Sequence, residues 1–249
     1  MNSRLLFVIS FGLFLSQSAQ SSWASPTPPP LGLYLHLDAS KVSAQNGEVI
    51  TTWTDLVGNQ SLTGTATYVA KYTPGQPGLR FNGTADSLGT KRLQDGPEAG
   101  NLTLFIVGNF ATSGNDENSD FLVSAQHPNN ADNRLRILKG KDDGKLDVAV
   151  GGGSTMSNIW PVDTAVHVFG LVAGQSTGKV DFMIDGNVIK SGSHGDYEAL
   201  QALFLGSHRG SSQFFEGTIA EVLLYNRALG KSEVEAVTKY LLSRYSIKP

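Results

Sequence analysis

The chain contains no cysteine. That absence excludes disulfide staples, thiolate nucleophiles and cysteine-ligated metal centres. Histidine is scarce, at five residues in 249. The five are scattered, with no His-x-x-x-His pair and no Ser/His/Asp grouping, so zinc and triad chemistry gain no support. No block of like charge exists. Nineteen Lys+Arg against 22 Asp+Glu leave a formal net charge of −3, which makes nucleic acid and anionic membrane surfaces poor partners. Tryptophan is limited to Trp23, Trp53 and Trp160. Beyond the N-terminus no apolar run approaches the roughly 20 residues that a membrane-spanning helix requires.

The N-terminus carries Arg4 and then the apolar run Leu5–Leu15, followed by small polar residues. One positive charge before a short apolar stretch is the pattern of a secretory signal peptide. Ser22-Trp-Ala24 offers small residues at the positions a signal peptidase reads, so residues 1–24 are expected to be removed; Ser16-Gln-Ser18 is a second candidate. Pro26-Thr-Pro-Pro-Pro30 makes residues 25–30 a stiff, extended spacer. Residues 31–249 suit one large all-β domain. The expected location is extracellular, or the bacterial envelope.

From Leu31 the pattern is of short apolar or alternating runs, punctuated by Gly, Asn, Asp and Pro. Strands are expected near 32–37, 48–54, 78–82, 102–110, 120–125, 134–139, 145–150, 164–173, 179–185, 187–191, 201–206 and 214–226. Asp185-Gly186 between two apolar runs marks a tight hairpin, since glycine supplies positive φ cheaply. Asp142-Asp-Gly144 carries the same signal, and Asn115–Ser119 is a polar loop tip. One helix is expected at the end, with Ser232 and Glu235 as a capping box and Val234, Val237, Leu241 and Tyr245 as its apolar stripe. A dozen strands and one terminal helix predict an antiparallel β-sandwich of jelly-roll type.

Three stretches, taken in order, resemble the laminin-G-like (concanavalin A-like) jelly-roll family. They are Leu35-His-Leu-Asp-Ala-Ser40 with Val49–Asn59, then Leu79-Arg-Phe-Asn-Gly83, then Phe215–Leu229 running into the terminal helix. Leu56-Val57 departs from the small polar residues usual before the Gly-Asn turn. The resemblance implies a β-sandwich that binds carbohydrate or an extracellular, cell-surface protein. The same fold also carries glycoside hydrolases and polysaccharide lyases, and adhesive envelope proteins.

A jelly-roll glycosidase needs two acids on one sheet face, roughly 5–10 Å apart. No acid-x-acid pattern falls within an expected strand, and Gln126-His127 lacks the spacing seen in lyases of this fold, so a non-catalytic protein is the better reading. Arg134 and Arg136 share a strand face opposite Leu135 and Ile137, and two guanidiniums there suit an acidic sugar or sulfate. The alternative is a solvated face paired with local carboxylates. His208, with Arg209, joins that surface if the fold brings it near. Trp160 precedes Pro161 in a loop and is a candidate stacking platform, whereas Trp53 reads as core.

Glu221 sits in Ile219-x-Glu221-x-Leu223-x-Tyr225, a spacing that predicts one strand face shared with apolar neighbours. A carboxylate there needs a partner or a metal, because an unpaired buried charge is costly. Asp38 and Asp55, with Asn59, are oxygen donors near strand ends. Members of the family sometimes hold one Ca²⁺, and Asp38, Asp55 and Glu221 are its candidate ligands here. Turn capping and a structural ion pair are the alternatives. The sequons at Asn59, Asn82 and Asn101 would matter only in a eukaryotic secretory pathway and are better read as chance occurrences in an Asn/Gly/Thr-rich β protein.

Overall fold

A computed structural model describes residues 27–58, 60–114, 119–127, 130–151, 155–195 and 198–248, with the side chains of residues 127 and 130–134 excepted. The expected signal peptide and the start of the spacer lie outside these described residues. In chain order the strands are β1 (Leu33–Asp38), β2 (Val49–Trp53), β3 (Leu62–Thr73), β4 (Gln76–Asn82), β5 (Ser87–Thr90), β6 (Leu102–Phe110), β7 (Asp120–His127), β8 (Asn130–Lys139), β9 (Leu146–Val150), β10 (His167–Gly174), β11 (Lys179–Ile184), β12 (Asn187–Ser193), β13 (Ala202–Leu205) and β14 (Glu216–Tyr225). A single-turn 3-10 helix, Ala39–Lys41, follows β1, and one α-helix, α1 (Lys231–Arg244), follows β14.

All the strand pairs are antiparallel. They form one hydrogen-bonded path, β12-β11-β10-β6-β14-β4-β3-β5-β13-β7-β8-β9, with β1 added beside β14 and β2 beside β3. The path folds back on itself around one core. Leu104 and Ile106 of β6 and Phe169 and Leu171 of β10 share an apolar cluster with Leu203 and Leu205 of β13, Ala125 of β7 and Ile137 of β8. Two sheet halves enclosing a common core make the expected β-sandwich.

Two strands were not expected. β3 reads Leu-Thr-Gly-Thr-Ala-Thr-Tyr-Val-Ala-Lys-Tyr-Thr, and its buried positions do not alternate. It is held by pairing with β2, β4 and β5 rather than by an apolar face, and its register slips against two of them. β5 is four residues long and contains Gly89. The expected hairpin is present: Asp185 (φ 53°) and Gly186 (φ 85°) both occupy the left-handed region that a primed turn demands.

The outer faces of the two halves are covered differently. On one, α1 lays Val237, Tyr240, Leu241 and Tyr245 onto Phe105, Val107, Val168, Leu223 and Tyr225. Its start is two residues earlier than Ser232 and Glu235 predict, with Gly230 as the N-cap. Glu233 accepts the Gly230 N–H at 2.9 Å, and Arg227 grips the same carboxylate at 2.6 and 2.8 Å. That grip fixes the cap, and holds the Glu233 carboxyl down at about 2. Among the described residues no helix covers the other half; the turn after β13 folds across it instead.

Two sequon asparagines serve the backbone. Asn82 Oδ1 accepts from the N–H groups of Thr84, Ala85 and Asp86, and Asn101 Oδ1 accepts from Ala228. Asn59 lies outside the described residues.

Candidate ligand groove and buried charge cluster

Register places a single row of side chains across the uncovered sheet face. Thr63 pairs with Gly89, Gly89 with Phe204, Phe204 with Ser124, Ser124 with Arg136, and Arg136 with Ala149. Their strand neighbours Leu203, Leu205, Leu135 and Ile137 point the opposite way, into the core. Alternation along each strand therefore assigns this row to the outside. Gly89 is required here: a Cβ would sit 2.8 Å from Leu203 O and drive into the Phe204 ring.

The segment following β13 is pinned over this row. Gly206 N–H donates to Leu122 O at 3.1 Å, and Ser124 Oγ donates to Ser207 O at 2.9 Å. Arg209 N–H donates to Ser124 Oγ at 3.2 Å, and Gly210 N–H to Ser207 Oγ at 3.0 Å. His208 N–H donates to Ser212 O at 2.8 Å, closing a tight loop. Arg209 (φ 60°) and Gln213 (φ 49°) both take left-handed backbone, which costs a residue with a side chain about 1 kcal/mol or more.

Between this loop and β3 runs an open groove lined by Thr63, Thr65, Ser87, Thr90, Lys91, Phe204, Arg209 and Ser211, with glycines between them. Its lining is hydroxyl-rich and, among the described residues, includes no carboxylate. Across β5, Thr65 Oγ1 donates to Asp86 at 2.9 Å. At the other end His208 stacks on Phe121, with centroids 4.8 Å apart. Burial, and then the nearby Arg209 and Arg136 guanidiniums, hold the His208 imidazole below its ordinary 6.5.

The structure thus brings Arg136 and His208 to one place, with Arg209 and Phe204 beside them. The Arg134 side chain lies outside the described residues. Trp160 belongs elsewhere: it packs against the core and presents its ring to His167, 5.0 Å away and nearly perpendicular. His167 lies between two acids, with Nδ1 2.6 Å from Asp185 Oδ2 and Nε2 2.9 Å from Asp163 Oδ1. Burial opposes its charge, but the hydrogen bonds to Asp185 and Asp163 outweigh that and raise its pKa.

The candidate metal ligands divide. A β-bulge between Ile219 and Glu221 reverses the alternation in β14, so Ile219 faces the core while Glu221, Leu223 and Tyr225 face α1. The expectation that Ile219 and Glu221 share a face is corrected accordingly. Asp38 pairs with Glu221 in register, and ligand atoms of His36, Asp38 and Glu221 fall within 4.8 Å of one another. Their donors are already engaged. Glu221 accepts from His36 Nε2 (2.8 Å), Tyr240 (3.0 Å) and Tyr245 (2.9 Å). Arg244 donates to both oxygens of Asp38, at 3.0 and 2.8 Å, and stands 3.4 Å from Glu221.

A Ca²⁺ needs six to eight oxygens and supplies positive charge. Here a guanidinium supplies the charge and phenols saturate the carboxylate, so the cluster does not fit that ion. Asp55 lies outside the cluster; its Oδ1 accepts the N–H groups of His36 (2.8 Å) and Val57 (3.2 Å), the work of a turn cap.

Sequence reasoning missed His36, Tyr240, Tyr245 and Arg244 as partners of Glu221. The i, i+2 spacing of His36 and Asp38 was the one local signal that they share a face.

Comparison with known proteins agrees with this architecture. A family model described as Concanavalin A-like lectin/glucanases superfamily matches residues 100–235. No curated protein matches the sequence. Trypanosoma rangeli sialidase is similar in structure, with a TM-score of 0.60 and 16% identity over 87% of this chain and 33% of that one. Domain 4 of AbnA, a GH43 extracellular arabinanase from Geobacillus stearothermophilus, in complex with arabinotriose, gives a TM-score of 0.55 and 17% identity over 83% of this chain and 98% of that one. The chain spans about a third of the sialidase it matches. Likeness at such identity is a likeness of fold.

Proposed function

Because the chain belongs to the Concanavalin A-like lectin/glucanases superfamily, we propose that it is an exported, non-catalytic carbohydrate-binding β-sandwich. The observation that carries this reading is the open, hydroxyl-lined groove on the sheet face that α1 leaves uncovered. Hydroxyls, backbone amides and a cationic end suit the many donors and acceptors of a sugar chain. Among the described residues the groove lining contributes no pair of carboxylates, which glycoside hydrolysis by two acids requires. The similar arabinanase domain is in complex with arabinotriose, and this chain covers nearly all of that domain, which lends the reading further support. Export rests on the Arg4–Leu15 pattern.

A shallow groove offers few contacts, so single-site affinity is weak and multivalent display strengthens it. The test is binding of the purified protein to an immobilised panel of neutral and acidic glycans, with product analysis of the same glycans after incubation. Selective retention without cleavage is the expected result. Cleavage products would replace the reading with an enzyme, and silence across the panel would remove it.

A further inference from the structure

We infer that the Arg136–Arg209 end of the groove is an anion subsite, suited to the carboxylate or sulfate group of an acidic oligosaccharide. This rests on the glycan-binding reading above and specifies its ligand class. The fold brings Arg136 and the Arg209 backbone to the same residue. Ser124 pairs with Arg136 in register, and its hydroxyl receives the Arg209 N–H. Both guanidiniums also help to hold the His208 imidazole below its ordinary value, after burial.

Among the described residues no carboxylate matches this charge. The half-buried Arg227 and Arg244 are each held by carboxylates, Glu233 for one and Asp38 with Glu221 for the other. Arg136 and Arg209 are also half-buried, yet among the described residues neither has a carboxylate within ion-pair distance. Among the described residues Arg136 donates to Thr155 Oγ1, at 3.0 Å. The Nε of each is buried without an acceptor. Buried donors without partners are rare, because each forfeits its hydration. A carboxylate or sulfate supplies the missing negative charge, and its oxygens accept from a guanidinium in pairs, with charge assistance.

The backbone supports the same conclusion. Arg209 is held in left-handed geometry by a loop bonded to Ser124 and Ser207, and strain of that kind collects at binding sites. Thr63 and Thr90 continue the groove from the charged end, leaving room for the remainder of a sugar chain.

Titration calorimetry with an oligogalacturonate, a heparin-derived tetrasaccharide and a neutral dextran oligosaccharide tests this. The expected result is binding of at least one anionic probe, weakening as salt is raised, with dextran much weaker. Whichever anionic probe binds distinguishes carboxylate from sulfate. Arg136→Gln and Arg209→Gly should each lower that affinity about tenfold or more. Arg209→Gly relieves backbone strain, so its melting temperature should not fall, which separates lost binding from lost folding. Equal binding of dextran and the anionic probes, or anionic binding untouched in both variants, overturns the subsite while leaving the glycan reading intact. No binding of any probe, together with silence on the neutral panel, removes both.

Discussion

Asp38 stands directly opposite Glu221 in the β1–β14 ladder, and Arg244, from the last turn of α1, contacts both. This junction is how the terminal helix is fastened. Apolar packing supplies the area, while the guanidinium and the Tyr240 and Tyr245 hydroxyls determine where the helix sits. Arg244→Met leaves two buried carboxylates without their cation. Breaking such a pair costs about 3–5 kcal/mol. At about 2–4 °C per kcal/mol for a domain of this size, a fall of roughly 6–20 °C in melting temperature is expected. Substituting Glu221→Gln should cost less, since an amide oxygen still accepts from one tyrosine.

The same geometry predicts the effect of metal removal. If Arg244 fills the electrostatic role of an ion between Asp38 and Glu221, a chelator leaves the melting temperature unchanged and added Ca²⁺ does not raise it. A calcium-dependent rise that disappears in Asp38→Asn would assign those carboxylates to a metal instead.

His167 gives the fold a pH dependence of known sign. Both ring nitrogens face carboxylates, so only the doubly protonated imidazolium satisfies both. Its folded pKa is raised above 6.5. The stabilisation is therefore fully present below the unfolded value and is lost as pH rises through the folded one. Denaturant titrations of the protein and of His167→Gln should differ most below pH 6.5 and converge in alkali. A gap that widened with pH would contradict the assignment.

Gly89→Ala should disturb the groove without touching a polar group. The added methyl meets Leu203 O at 2.8 Å and the Phe204 ring, so the floor must move. Overpacking of this kind typically costs about 1–3 kcal/mol. Faster proteolysis at Ser207–Gln213 than in the parent protein is the expected signature.

The sequence revealed some of these features and hid others. Apolar alternation located the core strands, and Arg136 was assigned correctly to the outer face because Leu135 and Ile137 are buried beside it. β3 was hidden because it is held by three partner strands rather than by an apolar face of its own. Glu221 advertised a need for partners but not their identity, since His36 lies 185 residues away and Arg244 lies 206 from Asp38. Strand register brings His36 and Asp38 to Glu221, and the docking of α1 brings Arg244. The bulge at Ile219 had no signature either, and it decides which way Glu221 points. The cationic end of the groove was half legible: Arg136 and His208 were candidates, but their meeting depends on Ser124 holding the loop after β13.

The central claim is that a sugar chain lies in the groove between β3, β5, β13 and the loop after β13. Hydrogen–deuterium exchange with and without a saturating oligosaccharide selected from the glycan panel tests it most directly. The account predicts new protection concentrated in Gly206–Gln213 and in β5, with α1 unchanged. Protection confined to α1 or to β2, with the Gly206–Gln213 loop unaltered, would place the ligand elsewhere and contradict it.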